Sequence, residues 1–117
     1  MIHVKVSKQG NYAINTKKIK DTVRSVFVEN GVDSPPIVSV ALVGTETIKV
    51  LVDKYYDDHE KHLVLTFASD GKDYFGDIIV SYPDCVLEAK ERNKLIEEVV
   101  LEYAKHGALH LIGIHHD

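Results

Sequence analysis

The stretch that decides the fold runs from His106 to Asp117 and reads HGALHLIGIHHD. His106 and His110 are four residues apart, so on a helix they lie on one face with neighbouring imidazoles. Gly113 can adopt the left-handed conformation that ends a helix, which would return His116 toward the first two histidines. Three neutral imidazoles converging from one side are typical of a zinc site with a fourth position open to water. The stretch therefore predicts a metal-binding helix at the C-terminal end.

Simple packing and a purification tag are the alternatives to a metal site for these histidines. A single histidine on an apolar helix face is usually a packed, hydrogen-bonded side chain, but three with a glycine between the second and third are hard to account for in that way. His115, His116 and Asp117 are the last residues of the sequence, as in a tag, yet the preceding Leu109 and Ile112 are not residues of a tag. The pattern favours the metal site.

The spacing also matches the extended zinc-protease motif H-E-x-x-H-x-x-G-x-x-H, with one difference. Gly107 stands where a zinc protease carries its glutamate general base. Without that carboxylate, no group at this position takes a proton from the attacking water. The spacing therefore predicts the metal site and argues against peptide hydrolysis.

The pattern H-G-x-L-H-L-x-G-x-x-H resembles the motif of the YbeY family of metal-dependent endoribonucleases, which are implicated in ribosomal RNA maturation. The matching residues are His106, Gly107, Leu109, His110, Leu111, Gly113 and His116. The family usually has an aspartate immediately before the third histidine, where this sequence has His115. The spacing favours His116 as the third ligand, and His115 could substitute for it or compete with it.

The resemblance extends upstream of the motif. Residues 62–67, HLVLTF, are similar to a family strand T-D-V-L-S-F, with Thr66 in place of the serine. Residues 76–78, GDI, match the G-D-I of the following family strand. The likeness therefore covers the predicted sheet as well as the metal helix.

Three departures from the family pattern bear on catalysis and length. An arginine that the family carries before this strand, thought to help catalysis, falls near Tyr56, and the usual threonine and aspartate are His62 and Leu63. Family members usually continue for a further helical segment beyond the position of Asp117. The resemblance thus implies a short, divergent or truncated relative in which no assigned residue stabilises the phosphorane charge.

Composition is that of an ordinary globular protein. The chain has 117 residues, of which 44% are hydrophobic and 27% charged, and we expect residues 1–117 to form one domain. The net charge of −4 argues against a generally basic surface that coats nucleic acid. A local patch is still possible on the exposed side of one predicted helix, although a solvated face is the favoured interpretation. Its residues are Lys17, Lys18, Lys20 and Arg24.

Three observations concern the compartment. No apolar run approaches the ~20 residues that cross a bilayer, so we expect no membrane partner. The N-terminal residues MIHVKVSKQG lack the apolar core of a secretion signal. The one cysteine, Cys85, is compatible with a reducing cytoplasm, and we interpret it as a small partly buried side chain, not a nucleophile. We therefore expect a cytoplasmic protein.

Hydrophobic periodicity predicts the order β-α-β-α-β-β-α-α, an α+β fold with a mixed four-stranded sheet packed with helices and a zincin-like metal helix at the C-terminal end. The predicted strands are residues 2–6, 37–43, 63–68 and 77–81. The predicted helices are residues 16–30, 46–56 and a helical region from 83 to the motif. Thr16 is the predicted N-cap of the first helix.

The periodicity also predicts which helix residues face inward. In the first helix these are Ile19, Val23, Val26 and Phe27, and in the second Ile48, Leu51, Val52 and Tyr55. Near the C-terminus, Val99, Tyr103, His106 and His110 are spaced four, three and four residues apart, which places both histidines on the buried side. Such a position gives a metal site rigidity and supporting hydrogen bonds.

The resemblance and the residues together predict a zinc-dependent endoribonuclease that cleaves single-stranded RNA, in the processing of ribosomal RNA. His106, His110 and His116 would hold one zinc ion and act through its bound water, although nickel, cobalt or copper could occupy the same ligands. Asp117 and His115 are possible accessory residues. We expect RNA as the partner, in the form of ribosomal RNA or a ribosomal subunit, and we expect no DNA.

Two other functions remain open. One is an RNA-binding or ribosome-associated factor that keeps the metal and has weakened catalysis, motivated by the missing arginine. The other is a metal-dependent hydrolase of another phosphoester. Glu102 could support the metal ligands, although an exposed helix carboxylate is the more common outcome. Lys54 and Lys61 are candidate cations, for which a structural salt bridge is at least as reasonable a role.

Overall fold

The computed structural model describes residues 1–57 and 60–114. Within them, the secondary structure follows the predicted order β-α-β-α-β-β-α-α. The strands are β1 (His3–Lys8), β2 (Ile37–Val43), β3 (Val64–Ala68) and β4 (Tyr74–Ser81). The helices are α1 (Thr16–Glu29), α2 (Thr45–Tyr55), α3 (Tyr82–Glu91) and α4 (Ile96–Leu111).

The strands form one mixed sheet in the order β1-β2-β4-β3. β2 is parallel to both β1 and β4, whereas β3 pairs with β4 antiparallel. Parallel neighbours need a crossover connection, which α1 supplies between β1 and β2, while the antiparallel pair needs only the short link of residues 69–73. The predicted α+β fold with a mixed four-stranded sheet is confirmed for the described residues.

Helices cover both faces of the sheet, and each face has its own hydrophobic core. The large core lies under α1, α3 and α4 and comprises Ile2, Val4, Ile19, Val23, Val26, Phe27, Val38, Val40, Leu42, Ile78, Val80, Cys85, Ala89, Val99, Val100, Ala104 and Ala108. The small core lies under α2 and comprises Val43, Ile48, Val52 and Leu65. Successive strand residues point to opposite faces of the sheet, so Val64 packs against the large core and Leu65 lies in the small core.

Helix α1 confirms the predicted inward stripe but corrects its N-cap. Ile19, Val23, Val26 and Phe27 are all buried. The cap is Asn15, not Thr16, because the Asn15 side chain accepts hydrogen bonds from the backbone N–H groups of residues 17 and 18. Asparagine and threonine are both good N-caps, so the sequence alone did not separate two adjacent candidates.

Helix α2 has a narrower buried stripe than predicted. Ile48 and Val52 are buried and Leu51 is partly buried, but Tyr55 is 57% exposed, so its predicted inward position is wrong. The last turn of α2 reaches the end of the small core, where the Tyr55 ring packs edge-on against Phe67 with centroids 5.2 Å apart. Tyr55 therefore covers the rim of the small core.

Several predicted element boundaries differ from the structure. β1 begins and ends later than residues 2–6, β3 begins at Val64, and β4 begins three residues earlier than predicted, at Tyr74. The region predicted as helical from residue 83 onward consists of two helices separated by residues 92–95. Asn93 sits in that break with a φ of 53°, a left-handed conformation that asparagine tolerates better than most residues.

No helix in residues 1–57 and 60–114 combines the length and the apolar composition that a bilayer crossing requires.

The cap assignment predicts unequal effects of two neighbouring substitutions. Asn15→Ala removes the acceptor for two backbone N–H groups and should lower the free energy of unfolding by about 1 kcal/mol. Thr16→Ala, the matched control, removes no such acceptor and should change it by less than about 0.5 kcal/mol. Urea titration followed by circular dichroism measures both. Equal losses would mean that Asn15 is not the cap.

Candidate active site

His106 and His110 lie one turn apart on α4, as the spacing predicts. Their ring centroids are 4.2 Å apart and the ring planes are inclined by 44°. Both side chains are half-buried and line a cleft of about 360 Å³. Two imidazoles side by side at the wall of a cleft are in a suitable arrangement to ligate one metal ion together.

The cleft is formed between α4 and the chain that leads into β3. Its described lining residues are Tyr56, Lys61, His62, Leu63, Val64, Thr66, Tyr103, His106, Gly107 and His110. One wall is thus a single helix face, and the other is a strand edge with the residues that precede it. The volume of the cleft falls in the usual range for small-molecule sites.

Gly107 sets the distance between these two walls. A Cβ at this position would lie 2.6 Å from Cγ2 of Ile78 and 3.2 Å from Cγ2 of Val64. Both neighbours are β-branched side chains in or against the large core, so they have little freedom to move. The position that holds the general base in zinc proteases therefore has no room for a glutamate, which accounts in physical terms for the departure from the protease motif.

Gly113 ends α4 in the predicted way. Its φ is +89°, its N–H donates to the carbonyl of His110 at 3.0 Å, and the next N–H, of Ile114, donates to the carbonyl of Leu109 at 2.9 Å. This pair of bonds is the Schellman motif, which needs a left-handed residue and is most often built on glycine. The chain consequently leaves the helix one turn beyond His110.

The predicted third ligand His116 and the accessory residues His115 and Asp117 lie outside the described residues. In residues 1–57 and 60–114, no three histidine, cysteine, aspartate or glutamate side chains are grouped closely enough to hold a metal ion. The described part of the site therefore supplies two of the three predicted ligands, His106 and His110.

Tyr103 lines the cleft, and its side chain is held by a hydrogen bond that the sequence did not reveal. Burial, and then a hydrogen bond to Glu88, raise the pKa of its hydroxyl, so Tyr103 stays protonated and donates to the carboxylate. Glu88 also accepts a hydrogen bond from Arg92 at 3.1 Å. Glu88, itself bonded to Arg92, thus holds the aromatic side chain one turn before His106.

Glu102 does not support the metal ligands. Its carboxylate accepts hydrogen bonds from Arg92 at 3.0 Å and Lys94 at 3.4 Å, and the bond from Arg92 is the main reason that its pKa is lowered. The side chain is 46% exposed. The supporting role considered for Glu102 is therefore wrong, and the alternative of an exposed helix carboxylate is confirmed.

Two lysines were candidate cations for the site, and the structure separates them. Lys54 lies over the Tyr55 ring at 5.2 Å from its centroid, and it does not line the cleft. Lys61 lines the cleft, and its Nζ lies 3.3 Å from Oδ1 of Asp84. Lys61 therefore combines the salt bridge that the sequence allowed with a position at the site.

The residues that replace the family's pattern also lie at the cleft. Tyr56 stands near the position of the arginine, and its ring contacts the ring of His62 with centroids 4.8 Å apart. Both residues line the same cleft as His106 and His110. The family resemblance thus identified a wall of the site even where the residues differ.

Three of the four basic residues on α1 form ion pairs with neighbouring acids. Lys17 and Arg24 pair with Asp21 at 3.0 and 3.6 Å, and Lys18 pairs with Glu97 at 2.8 Å. These contacts favour a solvated helix face over an RNA-steering patch.

Cys85 is fully buried in the large core. Burial, with smaller contributions from Glu88 and Asp84, raises its pKa to about 12. A thiol in that state is a poor nucleophile, so Cys85 is a packed residue, and it is fully buried where partial burial was expected.

The fold class of this protein is α+β with a mixed sheet. Its candidate site is a helix that carries two histidines beside a cleft. The family model Endoribonuclease YbeY matches residues 4–117. The chain therefore belongs to the YbeY family.

Individual relatives agree with this assignment. The chain is 27% identical over 124 residues to an endoribonuclease YbeY of Persephonella marina, covering 100% of this chain and 80% of the relative. A second endoribonuclease YbeY, from a Sulfurihydrogenibium species, is 30% identical over 109 residues, covering 89% of this chain and 71% of the relative. The solution structure of TM1509 from Thermotoga maritima superposes with a TM-score of 0.64 at 27% identity, covering 98% of this chain and 75% of that one.

The close approach at Gly107 predicts a stability loss on a small substitution. Gly107→Ala adds a Cβ against the Ile78 side chain, and overpacking of about 1–3 kcal/mol should exceed the gain in helix propensity of at most about 1 kcal/mol. We expect a net loss of about 1–2 kcal/mol by urea unfolding. Lys105→Ala, on the exposed side of the same helix, should change stability by less than about 0.5 kcal/mol. A more stable Gly107→Ala variant would contradict the packing argument.

The burial of Cys85 predicts that its thiol resists alkylation. With its pKa at about 12, only roughly one thiol in ten thousand is ionised at pH 8, and the core also shields it from reagent. Iodoacetamide at pH 8 should therefore leave the native protein unmodified and label it fully in concentrated urea, as measured by mass spectrometry. Fast labelling of native protein would show that the thiol is accessible.

Proposed function

We propose that this protein is a zinc-dependent endoribonuclease that cleaves single-stranded RNA and acts in ribosomal RNA maturation. The observation that carries the proposal is the pair of adjacent imidazoles of His106 and His110 at the cleft wall, in a chain that belongs to the endoribonuclease YbeY family. Homologues that bear this name support the phosphodiester of RNA as the bond that is hydrolysed.

The residues present suit a zinc ion. Neutral imidazoles are preferred zinc ligands, and those of His106 and His110 are neighbours on a rigid helix. His116, from the same motif, would be the third ligand. Bound zinc supplies Lewis acidity toward a phosphoryl oxygen and lowers the pKa of water to roughly 7. Another divalent transition metal could use the same ligands.

The chain's own residues would bind and orient the substrate. The cleft of about 360 Å³ has the size of a small-ligand pocket, so it takes one nucleotide better than a stacked, paired duplex. Tyr56, His62 and Tyr103 place aromatic rings around it, which suit stacking against an unpaired base. Asp117 and His115, beside the third ligand in sequence, are proposed only as accessory residues of the site.

Tyr56 gives the second candidate function its support. At the cleft it replaces a cation with a neutral ring, which weakens stabilisation of transition-state charge but favours base stacking. A metal-containing RNA-binding or ribosome-associated factor with reduced catalysis is therefore the alternative. Binding of ribosomal RNA without cleavage, at full zinc content, would favour it. Turnover of a small phosphodiester without RNA cleavage would instead favour a hydrolase of another phosphoester.

Residues 1–117 are proposed to act as one domain, which the family match over residues 4–117 supports. A cytoplasmic location is proposed as well. It is supported by the single cysteine, which is buried and unpaired, since proteins of oxidising compartments more often carry disulfides.

Substitution of one histidine tests the function directly. We expect the purified protein to contain about one equivalent of zinc by elemental analysis, and to cleave a single-stranded RNA faster than the same sequence in a duplex. His110→Ala removes one imidazole of the pair and should lose the zinc and at least about 100-fold of the cleavage rate.

The control is His3→Ala, because His3 is an exposed histidine of β1. It should keep both zinc and activity, and both variants should show native circular dichroism. A folded wild-type protein that takes up no metal even when zinc is added would overturn the proposal.

A further inference from the structure

Lys61 lies at the border of two cavities. It lines the cleft of His106 and His110, and it also lines a neighbouring cavity of about 450 Å³ between α2 and the start of α3. Among the described residues, His62 shares both linings with it. The second cavity is also lined by the carboxylates of Asp53 and Glu60, so an anionic polymer in the cleft is favoured at the border with Lys61 and not inside that cavity.

A buried carboxylate holds Lys61 at this border. Asp84 is only 5% exposed, and its two oxygens have different partners. Oδ2 accepts a hydrogen bond from the hydroxyl of buried Ser81 at 2.6 Å, and Oδ1 lies 3.3 Å from the Lys61 Nζ. Ser81 precedes α3 and Asp84 lies in its first turn, so the anchor is fixed by the helix itself.

The other side of the Lys61 ammonium faces solvent. Its side chain is 66% exposed, and an ammonium has three N–H donors, of which one suffices for Asp84. A cation held on one side by a buried acid and open on the other is arranged to receive a second anion.

The charge of the cleft points to the same role. Among its described lining residues, Lys61 is the only lysine or arginine, and Tyr56, near the position of the family arginine, is neutral. RNA brings one negative charge per nucleotide to the site, and phosphate contacts from lysine supply much of the affinity of nucleic-acid complexes.

We propose that Lys61 binds a backbone phosphate of the RNA strand at the border between the histidine cleft and the neighbouring cavity. The inference rests on the proposed function, since it assigns a phosphate contact to the same site. The competing role for Lys61 is a salt bridge that only neutralises buried Asp84. In that case loss of Lys61 would lower stability without changing the way RNA binding responds to salt.

The test measures the affinity for a short fluorescein-labelled single-stranded RNA by anisotropy between 50 and 300 mM KCl, in excess EDTA to remove the metal that cleavage needs. A gel confirms that the RNA stays intact. Lys61→Ala should weaken binding about tenfold at the lowest salt and reduce the slope of log affinity against log salt by about 0.7, the value for one phosphate contact on a single strand. Lys61→Arg keeps the charge and should restore most of the affinity and the slope.

Lys54→Ala is the matched control, since it removes the same charge from a residue that does not line the cleft. It should change the affinity less than about twofold and leave the slope unchanged. Urea unfolding of each variant is measured in parallel. If Lys61→Ala matches Lys54→Ala in affinity and slope, the inference is overturned, whether or not stability falls.

The outcomes separate this inference from the proposed function. Metal-dependent RNA cleavage with normal salt response in Lys61→Ala would overturn the Lys61 assignment alone. RNA binding with the expected Lys61 effect, but no cleavage by the wild-type protein, would support the assignment and overturn the nuclease. A wild-type protein that neither binds nor cleaves RNA would overturn both.

Discussion

The contact between Gly107 and Ile78 is the constraint on which the site depends. It brings the backbone of α4 so close to the sheet that no side chain fits between them. His106 immediately precedes this contact and His110 lies one turn after it. The distance between α4 and the sheet therefore also determines how far both imidazoles lie from β3. A helical glycine costs about 1 kcal/mol relative to alanine, a cost offset here by packing of the large core on both sides of the contact.

Two acids, the partly buried Glu88 and the buried Asp84, hold polar side chains around the cleft in place. Glu88 accepts the hydrogen bond of Tyr103, and Asp84 anchors Lys61. In the described part of the chain, every buried side-chain polar atom has a hydrogen-bond partner. An aromatic ring and a cation fixed in this way lose little entropy when a substrate binds, which is what preorganisation of a site means physically.

Much of the fold followed from periodicity because its elements bury clear apolar stripes. β2 agrees with the predicted bounds at both ends, and the inward residues of α1 are all buried, since both elements pack on the large core. Errors occurred where packing is partial. Tyr55 lies at the edge of the small core, and the N-cap of α1 was a choice between Asn15 and Thr16, which differ by local geometry and not by pattern.

The site could be predicted only as far as local spacing reaches. The adjacency of His106 and His110 is a property of one helix, so the sequence was sufficient. The contributions of Tyr56, Lys61 and Asp84 depend on how the chain before β3 folds against α3 and α4, which spacing does not encode. The pattern Ser81-x-x-Asp84 was a detectable signal, because a serine followed three residues later by an acid often begins a helix. Here its two side chains bond to each other.

The two walls of the cleft are not supported in the same way, because Val64 in the β3 wall packs against the large core but Tyr56 in that wall does not. α4 is embedded in the large core, whereas Tyr56 packs against the small core, which has far fewer buried residues. Local opening is easier where few apolar groups are buried, so amide hydrogens of α2 should exchange with solvent through smaller fluctuations than those of α4. A ligand that bridges the walls would then slow exchange mainly in α2, on the side of the sheet opposite the histidines. Binding of a ligand in the cleft would then be detected as slower amide exchange in α2, a helix that contributes no histidine to the cleft.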